Sequence, residues 1–176
     1  ALASLDALTS ISLAALVITI GIDLGKNRHT WIWLRRAGIR VVLLPGLVVI
    51  GTLAGSLAAG FLAGIPANES LAVGAGFGWY SLSGALLSKI YRADTGALAF
   101  LANVARELGA VVLMPLIARC GLKATVVAPG GATTMDTTLP LILRLTDHET
   151  AVLGLANGIV LTILVPLLVP ILIGLR

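Results

Sequence analysis

Arg106 and Glu107 stand side by side at the centre of an apolar run over residues 97–117. That run is close to the ~20 residues a helix needs to cross a bilayer. A charge at bilayer centre costs roughly 2.5–3.5 kcal/mol even on the lenient insertion scale, so ionisable groups at that depth are functional candidates. Consecutive helix residues point about 100° apart, so these two charges cannot simply neutralise each other and each needs its own partner. Asp136, in a later apolar run, is the expected counter-ion of Arg106, which leaves Glu107 to meet a proton or a cation. Asn103 lies one turn before Glu107 on the same face and is placed to orient it or to touch a solute. A buried ion pair or triad that only fixes helix register is the competing reading.

Polar and helix-weakening residues interrupt two other apolar runs. In the first, Gly74, Gly76 and Gly78 lead into Tyr80, Ser81, Ser83 and Gly84; in the second, Pro129, Gly130 and Gly131 lead into Thr133, Thr134, Asp136, Thr137, Thr138 and Pro140. Unsatisfied backbone in lipid costs several kcal/mol per group, so irregular chain at this depth must line a protein-enclosed or watery cavity. Paired Gly/Pro interruptions are the best sequence pointer to a transporter binding site, because broken helices offer free helix ends and bare carbonyls to a solute. Gly76, Gly78, Gly84, Pro129, Gly130 and Gly131 are therefore the expected broken-helix backbone. Tyr80, Ser81, Ser83, Thr133, Thr134 and Thr137 are the expected polar lining. For the first run, glycines that merely let helices pack closely are the plainer alternative. That plainer reading is preferred for Gly51 with Gly55 and for Gly60 with Gly64, which sit in an otherwise featureless run.

The elements that would hold these residues follow from composition. Apolar residues make up 58% of the chain and charged ones 11%, more apolar surface than a soluble domain of 176 residues can hide. The charges leave apolar runs at 5–24, 41–62, 71–87, 97–117, 124–143 and 151–173. The expected fold is an all-α integral membrane protein of about six transmembrane segments. Two of them are discontinuous helices, and an inverted-repeat transporter fold is one form this could take. Residues 1–176 then form a single transmembrane domain. Lys26, Arg28, Arg35, Arg36 and Arg40 place the loop 26–40 in the cytoplasm. Six simple crossings would put Lys89–Asp94 inside and Arg119–Lys123 outside, and Arg119 and Lys123 sit badly with that.

Several function classes find no support. The net charge of +4 lies in short loops beside apolar runs, without a basic face interleaved with aromatics, so nucleic acid is not an expected partner. His29 and His148 lack metal-ligand spacing, and no Ser/His/Asp or Cys/His arrangement is present; neither an enzyme nor a cofactor is expected. The single Cys120 excludes an internal disulfide.

Three strings carry a family likeness: Gly76-Phe77-Gly78-Trp79-Tyr80-Ser81-Leu82-Ser83-Gly84, Asn103-Val104-Ala105-Arg106-Glu107-Leu108, and Gly130-Gly131-Ala132-Thr133-Thr134-Met135-Asp136-Thr137-Thr138-Leu139-Pro140. In this order and spacing they resemble the LysO-type lysine exporter family, with weaker similarity at 21–24 and 158–166. The resemblance spans nearly the whole chain. It implies export of L-lysine, or a related cationic amino acid, from the cytoplasm of a bacterial or archaeal cell across its inner membrane, in exchange for protons. It also implies that the carboxylate matching Glu107 is essential. Typical members carry further spans before this region, so it implies a C-terminal part, a split-gene subunit or a short relative, with a homodimer or partner subunit to supply the missing spans. Thr134 stands where Ser is common and keeps the hydroxyl.

Lysine suits such a site, since its ammonium groups can pair with Glu107 and Asp136 while its carboxylate suits Arg106 or the positive end of a half-helix. Alternating access, with Glu107 holding either a proton or the ammonium, is the expected mechanism. The alternatives are a cation/proton antiporter or carboxylate transporter of similar architecture, and a membrane scaffold that transports nothing.

Overall fold

The computed structural model describes residues 38–121 and 123–175. The span expected over 5–24 and the basic residues Lys26, Arg28, Arg35 and Arg36 lie outside them. Every described element is helical.

Helix α1, Arg40–Ala63, is a 24-residue apolar helix about 36 Å long. It stops where Gly64 turns left-handed (φ 69°). Ile65 then donates its N–H back to Gly60 O at 2.8 Å, wrapping the helix end before Pro66 opens the next element. Helix α2, Ala67–Gly74, and helix α3, Tyr80–Ile90, follow. Between them the backbone turns through Phe77 (φ 46°) and Gly78 (φ 97°), two consecutive left-handed residues that no helix can contain. Helix α4, Ala93–Arg119, is continuous over 27 residues. A 3-10 helical segment, Lys123–Met135, bends sharply at Gly131 (φ 63°, ψ −127°). The short helix α5, Leu139–Leu145, and the 26-residue helix α6, His148–Ile173, complete the order.

The apolar runs predict six crossings, of which five fall on described residues; those residues hold three helices long and apolar enough for the task, within α1, α4 and α6. The other two runs, 71–87 and 124–143, are each split into pieces. At 8 and 11 residues, α2 and α3 measure about 12 and 16 Å, well short of a ~30 Å hydrocarbon core.

The outer ends of each split segment meet. At one, Glu69 in the first turn of α2 accepts hydrogen bonds from Tyr91 Oη (3.0 Å), just past α3, and from Thr95 Oγ1 (2.8 Å) at the start of α4. The chain has therefore gone out along α2 and come back along α3. Asn68 also donates to Ile173 O (3.3 Å), so the last turn of α6 lies at this same end. At the other segment, Lys123 Nζ lies 2.9 Å from Asp147 Oδ2, joining the start of the 3-10 segment to the start of α6. Asp147 also caps α6, accepting from Thr150 N (2.9 Å) and Thr150 Oγ1 (2.8 Å). Both split segments are thus hairpins, one based at the N-terminal end of α4 and the other near its C-terminal end.

Helix α6 is the hub, touching α1, both helices of the first hairpin and both parts of the second. More than half of its apolar stretch is buried, against about a fifth for α1 and α4. Val126, Val127 and Ile142 of the second hairpin form a core with Ala110 and Met114 of α4 and Ala151 of α6.

Candidate functional site

The tips of the two hairpins touch. Ala132 N–H donates to Phe77 O at 2.8 Å, a main-chain bond between the break in the first segment and the bend in the second. Gly131 makes this approach possible, because a Cβ there would run into the Phe77 carbonyl, and its positive φ already disfavours any side chain.

An asparagine from the following long helix holds each tip. Asn103 of α4 is 3% exposed. Its Oδ1 accepts from Gly78 N (2.7 Å), and its Nδ2 donates to Val73 O (3.1 Å) and Ala99 O (2.9 Å). Ser83 Oγ lies 3.4 Å from the same Nδ2 and donates to Trp79 O (2.9 Å). Asn157 of α6, fully buried, donates to Gly131 O (3.0 Å) and Thr134 Oγ1 (3.1 Å). Its own Oδ1 has no partner among the described residues. Both asparagines end a Leu-Ala-Asn triplet, at 101–103 and 155–157, and lie 25 and 26 residues beyond the tip glycines they bind. The chain thus repeats a unit of hairpin plus long helix. This was the sequence signal for Asn157, which reasoning from charges passed over.

Arg106 does not pair with Asp136. Its Nε donates to Pro129 O (3.1 Å), Nη2 to Ala128 O (3.3 Å) and Nη1 to Thr52 Oγ1 of α1 (3.0 Å). Asp136 is exposed and receives the N–H and hydroxyl of its neighbour Thr137, which spends its polar groups on that local turn. The expectation of an Arg106–Asp136 pair fails because the strand of chain before Gly131 offers carbonyls that reach the guanidinium first. Glu107 is half-buried, with neither a hydrogen bond nor an ion pair to any described residue.

The remaining expected residues divide. Thr133 Oγ1 donates to Gly130 O (2.9 Å) and Thr134 Oγ1 to Gly131 O (2.8 Å), so these two buried hydroxyls satisfy the bend. Tyr80 packs edge-on against Phe100 with centroids 5.3 Å apart, and Ser81 is exposed. Gly84 is not part of the break: it lies inside α3, where its Cα faces Gly96 O and Phe100 of α4, a close-packing role. Gly76, Gly78, Pro129, Gly130 and Gly131 do lie in the irregular chain.

A groove of about 630 Å³ opens between α1, α2 and α4. Thr52, Ser56, Ser70, Asn103 and Arg106 supply its polar side chains, over a floor of small residues. Neither Glu107 nor Asp136 is among the residues lining it. Glu69, which lies between the apolar runs 41–62 and 71–87, is a buried carboxylate, 7% exposed. No local pattern betrays it, since its partners come from 22 and 26 residues away.

A family model described as lysine exporter LysO matches residues 2–173. The Escherichia coli K12 protein named lysine exporter LysO is 38% identical over 160 residues, covering 90% of this chain and 52% of that protein. A Haemophilus influenzae protein, provisionally named a lysine exporter, is 30% identical over 158 residues, covering 89% of this chain and 79% of its own length. The chain therefore spans about half the length of the first of these relatives. No solved structure matches it.

Proposed function

From the premise that this chain belongs to the lysine exporter LysO family, we propose that it forms the solute-handling core of an inner-membrane exporter for L-lysine or a closely related cationic amino acid. The observation that carries this reading is the main-chain bond from Ala132 to Phe77, two interrupted segments meeting beside long apolar helices. Irregular backbone in such a place serves a solute pathway.

In this reading the split segments are re-entrant hairpins that enter from opposite faces, and α1, α4 and α6 cross. With the loop 26–40 in the cytoplasm, the base of the first hairpin, near Glu69, Thr95 and Ile173, faces outward. The base of the second hairpin, with Arg119, Lys123 and Arg144, faces the cytoplasm. This arrangement accords with the tendency of Lys and Arg to stay inside better than six simple crossings do. On the outer face Lys89 and Arg92 are offset by Glu69 and Asp94. The opposed hairpins, each followed by a helix bearing Leu-Ala-Asn, also fit descent from an inverted repeat.

Glu107 and Asp136 are the groups that exchange protons for the substrate's ammonium groups. Neither is consumed by an ion pair among the described residues, which leaves both able to serve. Alternating access then requires that each carboxylate release its proton before, or as, the ammonium arrives.

The test is flux of radiolabelled lysine in vesicles carrying a pH gradient. The wild-type chain moves lysine, and Glu107→Gln abolishes movement while the protein still assembles. Absence of lysine flux in the wild type defeats the export reading, and undiminished flux in the variant removes Glu107 from it.

A further inference from the structure

The groove between α1, α2 and α4 has an unusual electrostatic character. Among the described residues its one charged lining residue is Arg106, at the middle of α4, and no described carboxylate lies within ion-pair distance of that guanidinium. A lone cation at this depth is costly, and three neutral oxygens offset that cost only in part. The guanidinium carries five N–H donors. Three of them are committed, to Pro129 O, Ala128 O and Thr52 Oγ1, which leaves one on each terminal nitrogen. Two N–H groups on one guanidinium are what a carboxylate engages in bidentate fashion. The volume falls within the ~300–1,000 Å³ range of small-molecule sites, and Thr52 and Ser56 add hydroxyls on the opposite wall.

We propose that this groove is a carboxylate-binding half-site, in which Arg106 receives the α-carboxylate of the transported amino acid. The proposal rests on the lysine-export reading and deepens it. A planar monoanion fits because, among the described residues, one guanidinium is the only cation lining the groove, whereas phosphate sites generally gather several donors of charge. Since Glu107 and Asp136 do not line the groove, recognition of the carboxylate and of the distal ε-ammonium is divided between separate surfaces, while the α-ammonium, bonded to the same carbon, stays beside its carboxylate. Selectivity then requires both ends of the solute, and a diamine lacking the carboxylate engages only one surface.

Arg106 also clasps the second hairpin through the carbonyls of Ala128 and Pro129. An arriving carboxylate takes the two remaining N–H groups and, being charged, draws the guanidinium toward itself and away from those carbonyls. Occupation of the groove therefore loosens the hairpin at its tip, where the buried Asn157 Oδ1 has no partner among the described residues.

The experiment compares L-lysine with 1,5-diaminopentane, which is lysine with hydrogen in place of the carboxylate. Competition against radiolabelled lysine flux is measured in vesicles, and thermal stabilisation by each compound is measured on the full chain in detergent. In the wild type, lysine competes and stabilises at roughly tenfold or more lower concentration than the diamine. Arg106→Gln brings the two compounds to parity. Gly55→Leu, which adds bulk to the groove wall at a position where a Cβ meets nothing within 4 Å, blocks lysine flux without disturbing assembly. An Arg106→Gln protein that loses activity but keeps the wild-type preference shows a clasp and nothing more, and overturns the proposal. So does full lysine flux in Gly55→Leu, or a wild type that treats the two compounds alike. A wild type that moves no lysine but is stabilised by it in preference to the diamine defeats export and leaves the half-site standing.

Discussion

The carbonyl of Phe77 accepts a hydrogen bond from the amide of Ala132 across 55 residues of sequence, and this pair joins the two hairpins. Because one partner sits in a left-handed turn and the other follows a glycine bent to φ 63°, the joint depends on backbone shape more than on side-chain chemistry.

Gly131→Ala tests that dependence. The added methyl meets the Phe77 carbonyl and must adopt a left-handed φ, so the variant loses roughly 1–3 kcal/mol. Gly109→Ala, in α4 with open space around it, serves as the matched control and is neutral or slightly stabilising. Thermal unfolding in detergent compares them, and equal melting points would show that the tips are not in close contact.

Cys120 reports which way the second hairpin enters. It is exposed, and it is the chain's single cysteine. With re-entrant hairpins it lies on the cytoplasmic face, whereas six simple crossings place it outside. A membrane-impermeant maleimide should label it in inside-out vesicles and leave it unmodified in intact cells. Labelling from the outside would exclude the hairpin topology.

Glu69→Ala removes the carboxylate that closes the first hairpin and leaves the hydroxyls of Tyr91 and Thr95 without their acceptor. The expected loss is about 1–3 kcal/mol, the usual penalty for stranding buried hydrogen-bonding groups. Thr95→Val removes one of the two bonds and should cost less. A Glu69→Ala protein as stable as wild type would mean that this base is held by apolar packing alone.

Asp147 gives the second hairpin a pH response. Lys123, and then the amide and hydroxyl of Thr150, hold its carboxyl below the usual carboxylate range. A carboxyl whose folded value is depressed stabilises the fold fully above its unfolded value, near 4, and loses that contribution as pH falls through the folded value. Asp147→Ala should therefore lower the melting temperature by a constant amount from neutrality down to about pH 4. The gap should close in stronger acid. A gap that instead grows with acidity would contradict the Lys123 and Thr150 contacts.

The long helices were legible because uninterrupted apolar runs of spanning length have few other fates: 41–62, 97–117 and 151–173 lie within α1, α4 and α6. Positive-φ backbone at Gly78 and Gly131 falls inside the two runs that glycine and proline interrupt, 71–87 and 124–143. What hydropathy measures is the length of an apolar stretch and not its path, so a segment that crosses and one that turns back look alike. The turn-back is decided by Glu69 meeting Thr95 and Lys123 meeting Asp147, contacts 26 and 24 residues apart that no local window contains. Arg106 shows a different blind spot. Reasoning from side chains matched it to the nearest plausible acid, Asp136, whereas its partners include the carbonyls of Ala128 and Pro129, atoms that every residue carries.

That the two hairpins are fastened through peptide groups has a bearing on how this molecule yields to mutagenesis. Replacing Phe77 or Ala132 with another residue leaves the amide and the carbonyl where they were. Alanine scanning would therefore pass over the junction in silence and report only the ring that Phe77 buries. Chemistry that edits the main chain itself, such as an ester in place of the amide at position 132, is what would make the junction audible.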